Sequence, residues 1–237
     1  MSEPEKERLL NEYRRREREI PAGRYAPWDP AEMMLRSERK RLAATLLHKS
    51  ETFPTPETPC LEVGYGRLGW LADLISWGVR EESLSGIELD GERAAAAQAL
   101  LPRADLRVGD ASALPWHDDS FGLVITSTVF SSILDEEMRL SVAAEIVRVL
   151  QPGGAFLCYD FRLDNPRNNA VRGVGRRDLQ RLFPGLKGEI RSTTLAPPLA
   201  RWLAPKSFRA AFFMEALPFL RTHLIAVLRP GPVEKKV

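Results

Sequence analysis

Cysteine is nearly absent from this sequence of 237 residues: there are two, Cys60 and Cys158, each inside an apolar stretch that reads as a strand. That excludes a disulfide framework and fits buried free thiols in a reducing compartment. Histidine occurs three times, and no metal site is expected. No apolar run approaches the roughly eighteen residues of a membrane-spanning helix. The opening residues Met1-Ser2-Glu3-Pro4-Glu5-Lys6-Glu7-Arg8 are charged and lack the apolar core of a secretory signal. Internal repeats and low-complexity tracts are absent as well. What remains is an ordinary globular composition, 44% hydrophobic and 28% charged, long enough for one well-filled core. A cytoplasmic location is the expectation.

Charge is balanced in total and uneven along the chain. Residues 1–160 carry 19 Lys/Arg against 27 Asp/Glu, a net of −8, and residues 161–237 carry 15 against 5, a net of +10. A basic last third suits an anionic partner or simply a soluble face. Residues 3–19 read as an exposed helix laced with i,i+4 ion pairs, with Leu9, Leu10 and Tyr13 as its apolar markers. A Pro-rich loop and a second helix over 30–49 follow. With the Pro/Thr linker 51–59 they form an N-terminal helical cap, residues 1–57, ahead of a main domain over 58–237. From residue 60 the rhythm alternates: strands at 60–63, 83–88, 105–108, 121–127 and 155–161, and helices at 67–78, 91–101 and 136–150. A short helix is expected after Pro115. The stretch 162–237 adds a helix at 175–183, a strand at 188–195, helices near 207–217 and a last strand at 222–228. This is the pattern of a doubly wound, Rossmann-like α/β domain with a mostly parallel sheet.

The segment Cys60-Leu61-Glu62-Val63-Gly64-Tyr65-Gly66-Arg67-Leu68-Gly69 is a strand, a glycine turn and a helix start. Such turns let the backbone approach a ligand closely at the carboxyl end of a parallel sheet. The next strand, Leu84-Ser85-Gly86-Ile87-Glu88, ends on an acid able to grip a ribose diol. The third strand leads to Gly109-Asp110-Ala111, where a carboxylate could meet an adenine amino group. Gly64, Gly66 and Gly69 also satisfy a dinucleotide pattern, but three acids around one ligand suit a cofactor bearing positive charge. Singly, each acid has a plainer reading: Glu62 as a helix cap, Glu88 facing solvent, Asp110 as a turn residue.

Together these features resemble the class I S-adenosylmethionine-dependent methyltransferases. The resemblance also rests on Ala113-Leu114-Pro115-Trp116, Asp119-Ser120-Phe121 and Glu145-Ile146-Val147-Arg148-Val149-Leu150-Gln151-Pro152-Gly153-Gly154, and covers about residues 58–160. It implies a seven-stranded sheet with an antiparallel last strand, S-adenosyl-L-methionine as cofactor, and methyl transfer as the reaction. Residue by residue, it implies Glu62, Gly64, Tyr65 and Gly66 at the methionine end and Glu88 on the ribose. Leu89 would lie on the adenine, Asp110 and Ala111 at its amino group, and Thr126 would make a backbone contact. Three positions depart from the family: Leu68 stands at the third glycine, Gly122 where an acid is usual, and Ser131-Ser132 where His-His is frequent.

A sulfonium methyl is already electrophilic, so a base is needed only for a poor nucleophile. Candidate catalytic or orienting groups are Tyr159 and Asp160 at the end of the fifth strand and His223 at the start of the last. Tyr25 and Trp28 are candidates for a lid. The loop Asn165-Pro166-Arg167-Asn168-Asn169 with Arg172, Arg176 and Arg177 suits an anionic small-molecule or glycan-type acceptor, methylated at oxygen. Thr126-Ser127-Thr128-Val129-Phe130 lacks the Asn/Asp-Pro-Pro-aromatic signature of base-amine methylation, which argues against RNA or DNA. A non-catalytic cofactor-binding partner protein is the reading from another class. The oligomeric state is not legible.

Overall fold

The computed structural model describes residues 3–165 and 168–231. One seven-stranded sheet runs through it in the order β3-β2-β1-β4-β5-β7-β6. The strands are β1 (Cys60–Val63), β2 (Leu84–Glu88), β3 (Asp105–Val108), β4 (Phe121–Ser127), β5 (Leu150–Phe161), β6 (Leu186–Leu195) and β7 (Arg221–Pro230). β1 to β5 pair in parallel, and β7 runs antiparallel to both β5 and β6. The sheet therefore has the strand directions expected from the sequence, and its order reverses at β1, beside β4.

Alternation along each central strand explains the two layers of helices. In β4, Val124 points to one face and Leu123 and Ile125 to the other, all of them buried. The first face packs against α5 (Glu136–Val149) through Val142, Ala143 and Ile146, and against α6 (Arg176–Leu182) through Leu179 and Leu182. The second packs against α2 (Pro30–Lys49), α3 (Leu71–Ser76) and α4 (Gly91–Leu100). Such doubly covered strands are buried on both sides, as all four residues of β1 are, Glu62 being the one polar member. Three helices start on an aspartate whose carboxylate accepts free backbone N–H groups: Asp29 for α2, Asp90 for α4 and Asp135 for α5. A cap of this kind contributes about 1 kcal/mol.

Two local expectations give way. The helix expected from residue 67 begins only at Leu71, because Gly66 and Gly69 hold left-handed backbone (φ +60° and +46°). No helix follows Pro115; residues 111–119 form bends and turns, with the carbonyls of Leu114 and Trp116 accepting from Arg148 and that of Pro115 from Arg107. Pro197-Pro198 open α7 (Pro197–Leu203), a helix not among those expected from the sequence, since proline suits the first turn of a helix. α8 (Phe208–Glu215) follows it, and both pack with the start of α2 over a small separate core of Ala31, Met34, Ala200 and Ala211.

The helix α1 (Glu3–Glu19) is not the free-standing surface helix its charges suggest. Leu9 is buried in the main core, Leu134 N–H donates to the Glu5 carboxylate at 2.7 Å, and Arg8 donates to the Ser132 carbonyl at 2.5 Å. Gly122, where the family has an acid, lies against the linker: a Cβ there would come within 3.0 Å of Thr58 Cγ2. The glycine is explained by that crowding. Of the polar loop after β5, Pro166 and Arg167 lie outside the described residues.

Candidate cofactor cavity

Where the strand order reverses, the ends of β1, β2 and β4 open onto a cavity of about 210 Å³. Gly64 (φ +72°) and Gly66 form its floor, Glu88 and Leu89 one wall, and Gly109 and Ala111 the far end. The loop after β4 supplies Ser127, Thr128, Val129, Ser132 and Ile133. Gly64 is required twice over, by its left-handed backbone and by Val129, whose Cγ2 would stand 2.8 Å from any Cβ there.

Glu88 is 3% exposed, and its carboxylate is fixed on both oxygens. Oε2 accepts from Gly66 N–H at 2.8 Å and Oε1 from Asp90 N–H at 3.1 Å. Burial pushes its pKa up, while these two amides pull the other way. A carboxylate oxygen with one amide bound retains a further lone pair, so Glu88 can still accept from a pair of hydroxyls. Asp110 flanks the far end. Its side chain accepts from Ser112 N–H at 2.8 Å and lies 3.5 Å from Lys6 Nζ of α1. Burial alone would raise the Asp110 pKa; the Ser112 hydrogen bonds and the Lys6 charge outweigh it and hold it low.

Glu62, expected at the methionine end, does not line the cavity. It is fully buried beneath the turn, and Oε2 accepts from Trp70 N–H at 2.7 Å and Leu71 N–H at 3.0 Å. It thus satisfies the first free amides of α3, the plain role of a helix cap. Burial pushes its pKa up to about 8, with those amides opposing. Gly69 is bound to this arrangement, because a Cβ there would overlap the Glu62 carboxylate. Tyr65 also lies outside the cavity, buried beneath Gly86 with its hydroxyl 3.5 Å from the Arg107 carbonyl. Thr126 is buried within the ladder, paired with Val63 and Cys158, and the cavity wall begins one residue later.

None of the three expected catalytic groups reaches the cavity. Tyr159 points to the opposite face of the sheet, where its hydroxyl meets Thr194 Oγ1 at 2.9 Å and its ring stacks on His223 at 4.9 Å. Burial, then the nearby Arg39 charge, holds the His223 pKa down at about 3, so this imidazole stays neutral. Asp160 is fully buried and accepts from Ser131 N–H at 3.1 Å and from Phe161 N–H at 2.8 Å. Burial pushes its pKa up to about 6, and its place is under the 128–133 loop, which it anchors. Tyr25 and Trp28 are exposed and do not cover the cavity.

The cover is α1. Leu9, Tyr13 and Arg16 line the mouth, at the i, i+4 and i+7 positions of one helix face. Arg93 of α4 lies 4.3 Å over the Tyr13 ring and pairs with Glu17 at 3.1 Å. Burial, then the Glu88 charge, pushes the Tyr13 phenol up to about 12. The stripe was present in the sequence, but nothing local says which surface a helix stripe will meet. Thr128, Val129, Ser132, Ile133 and Met138 likewise carry no motif.

A ligand with an adenosine diol fits these residues: a left-handed glycine turn against which it can lie, a buried carboxylate with free lone pairs, and flanking aliphatic walls. A family model described as "Methyltransferase domain" matches residues 61–158, the span that builds this cavity. Over 97 residues the chain is 37% identical to a "Probable S-adenosylmethionine-dependent methyltransferase" of Mycolicibacterium smegmatis, covering 41% of this chain and 35% of the relative. Over 107 residues it is 36% identical to a phthiotriol/phenolphthiotriol dimycocerosates methyltransferase of Mycobacterium tuberculosis, covering 44% and 38%. The matched segment thus spans little more than a third of those curated relatives. In fold, the chain is similar to geranyl diphosphate C-methyltransferase from Streptomyces coelicolor, solved with S-adenosyl-L-homocysteine (TM-score 0.61, 15% identity, 81% of this chain and 77% of that one). With its strand order, its glycine turn and the buried acid that ends β2, the segment 61–158 is a methyltransferase domain similar to those of S-adenosylmethionine-dependent methyltransferases.

Proposed function

We propose that this protein transfers the methyl group of S-adenosylmethionine to a small, anionic acceptor, at an oxygen that is already ionised. The observation that carries the reading is the cavity's side-chain inventory. Among the described residues, Glu88 is the one carboxylate lining it; each of its oxygens holds a backbone amide, and in this reading its remaining lone pairs are taken by the ribose hydroxyls. Among the described residues the one phenol there, Tyr13, is held far above neutral pH, and no histidine lines the wall. Nothing there is poised to take a proton from an alcohol.

Bound cofactor supplies the electrophilic methyl. The chain's own residues then have three tasks. Glu88 and the Gly64–Gly66 turn hold the nucleoside end, with Leu89 and Ala111 packing beside it and Asp110 accepting from the adenine amino group. Val129, Ile133 and Met138 present an apolar wall that excludes water, while Leu9 and Tyr13 close the mouth. The 128–133 loop, fixed from below by Asp160, aligns the incoming nucleophile. A carboxylate or ionised phenol needs no base once so placed.

A groove of about 570 Å³ lies beside the cavity, between α1 and residues 169–170, and is lined by Glu7, Arg8, Asn11, Glu12, Arg15 and Leu134. It is the proposed acceptor path, and Arg172 stands next to it with its N–H on the Ser131 carbonyl at 2.8 Å. The test is incubation with methyl-labelled cofactor and fractionated small-molecule extracts. Label is expected in an acidic fraction, as a base-labile ester or an aryl ether. Label on nucleic acid, or tight cofactor binding with no labelled product in any fraction, rejects the proposal.

A further inference from the structure

The most conspicuous surface of the molecule lies away from the cofactor cavity. α7, α8 and the short 3-10 turn Pro218–Leu220 turn five aromatic side chains outward: Trp202, Phe208, Phe212, Phe213 and Phe219. Phe213 and Phe219 are more than 70% exposed, as large apolar groups on a water-facing surface seldom are. The buried face of α8 is Ala211 and Glu215, so Phe213 points away from it. The elements that carry these rings follow one another in the chain and pack over one small core shared with the start of α2.

The charges on this face have one sign. Between Pro197 and Arg221 stand Arg201, Lys206, Arg209 and Arg221, and the one acid, Glu215, is buried and accepts from Thr194 N–H. Lys206 Nζ sits 4.2 Å over the Trp202 ring, its stem along the aromatic surface and its charge at the rim. Rings backed by cations, with no exposed carboxylate between Pro197 and Arg221, match the interface of an anionic bilayer, where apolar groups enter the acyl boundary and Lys/Arg meet headgroups. A second copy of this chain is a poor occupant, because pairing would bring two positive faces together.

We infer that this α7–α8 face docks the protein on an anionic lipid surface, burying Phe213 and Phe219 and setting Lys206 and Arg209 against headgroups. The inference is independent of the acceptor proposed above.

Co-sedimentation of the full chain with vesicles tests it. Equimolar phosphatidylglycerol/phosphatidylcholine vesicles should pellet the protein, and phosphatidylcholine alone should bind about tenfold less. The double substitution Phe213→Ser/Phe219→Ser should lower binding about tenfold, with the melting temperature and cofactor affinity unchanged because both side chains are exposed. Lys206→Glu/Arg209→Glu should lower binding to anionic vesicles only. No pelleting at low salt, equal pelleting with neutral vesicles, or variants that bind like wild type would each overturn the inference. So would self-association in sedimentation velocity that the phenylalanine variant abolishes, since the occupant would then be a second copy.

Discussion

At the scale of single residues, the same chemistry does different work according to where a few ångströms of backbone put it. Glu62 and Glu88 end neighbouring strands, yet Glu62 is spent on the amides of α3 while Glu88 faces the cavity. Glu88→Ala should therefore weaken S-adenosylmethionine binding by about 1–3 kcal/mol, the worth of hydrogen bonds to a charged group. Asp110→Ala should cost a similar amount, and NAD should give no heat with either protein. Isothermal titration checks all three, and unchanged affinity in Glu88→Ala removes its ribose role. His223 provides a second residue-level prediction. Stacked between Tyr159 and Phe161 with a pKa near 3, it should show no imidazole titration between pH 5 and 8 by proton NMR. An inflection near 6.5 would mean that it reaches solvent and a proton-transfer role.

At the scale of elements, α1 is the part whose role was least legible. Its Glu/Arg density reads as a solvated helix, and Arg15 does pair with Glu12 and Glu19 on the outer side. Its inner side is tied down by Lys6 to Asp110, Glu17 to Arg93, and Leu9 in the core. Charge pairs between α1 and the domain are partly exposed and so are screened by salt. Cofactor dissociation should accordingly quicken as salt is raised from 0.05 to 0.5 M, about two- to tenfold in rate. Tyr13→Ala should quicken it at every salt concentration by removing the ring at the mouth. Stopped-flow displacement measures both, and a rate blind to salt and to Tyr13 would show that α1 does not gate release. α7 shows the opposite failure, a helix hidden by two prolines at the only end where proline is tolerated.

At the scale of the whole molecule, several acids are buried with raised pKa values: Glu62 to about 8, Glu215 to about 7 and Asp160 to about 6, each mainly through burial. The folded state holds these protons after the unfolded chain has released them. Their contribution is thus whole below the ordinary carboxylate range and is lost as pH rises through the folded values. His223 acts in the other direction, with stability lost as pH falls from 6.5 toward 3. The melting temperature should peak in mildly acidic buffer and decline toward pH 9, and Glu62→Gln should flatten the last part of that decline. Calorimetry across pH 5 to 9 checks it; a wild-type curve flat to pH 9 would show that Glu62 ionises without cost.

The order of most elements, the parallel strands and the glycine turn were determined by the sequence alone, because they rest on local signals such as alternation, caps and glycines, whereas the reversed last strand was implied only by the family resemblance. Glu88 was legible for the same reason, as the final residue of a strand whose end faces the ligand side. Which way Tyr159 and Asp160 point was a matter for the tertiary structure, since adjacent residues on a strand lie on opposite faces and neither chain end nor spacing says which face holds the site. The cover formed by Leu9 and Tyr13, the cap made by Glu62, and the gathering of exposed rings on α7 and α8 were likewise settled only by packing. Each depends on which surfaces meet across dozens of intervening residues, and no local pattern carries that information.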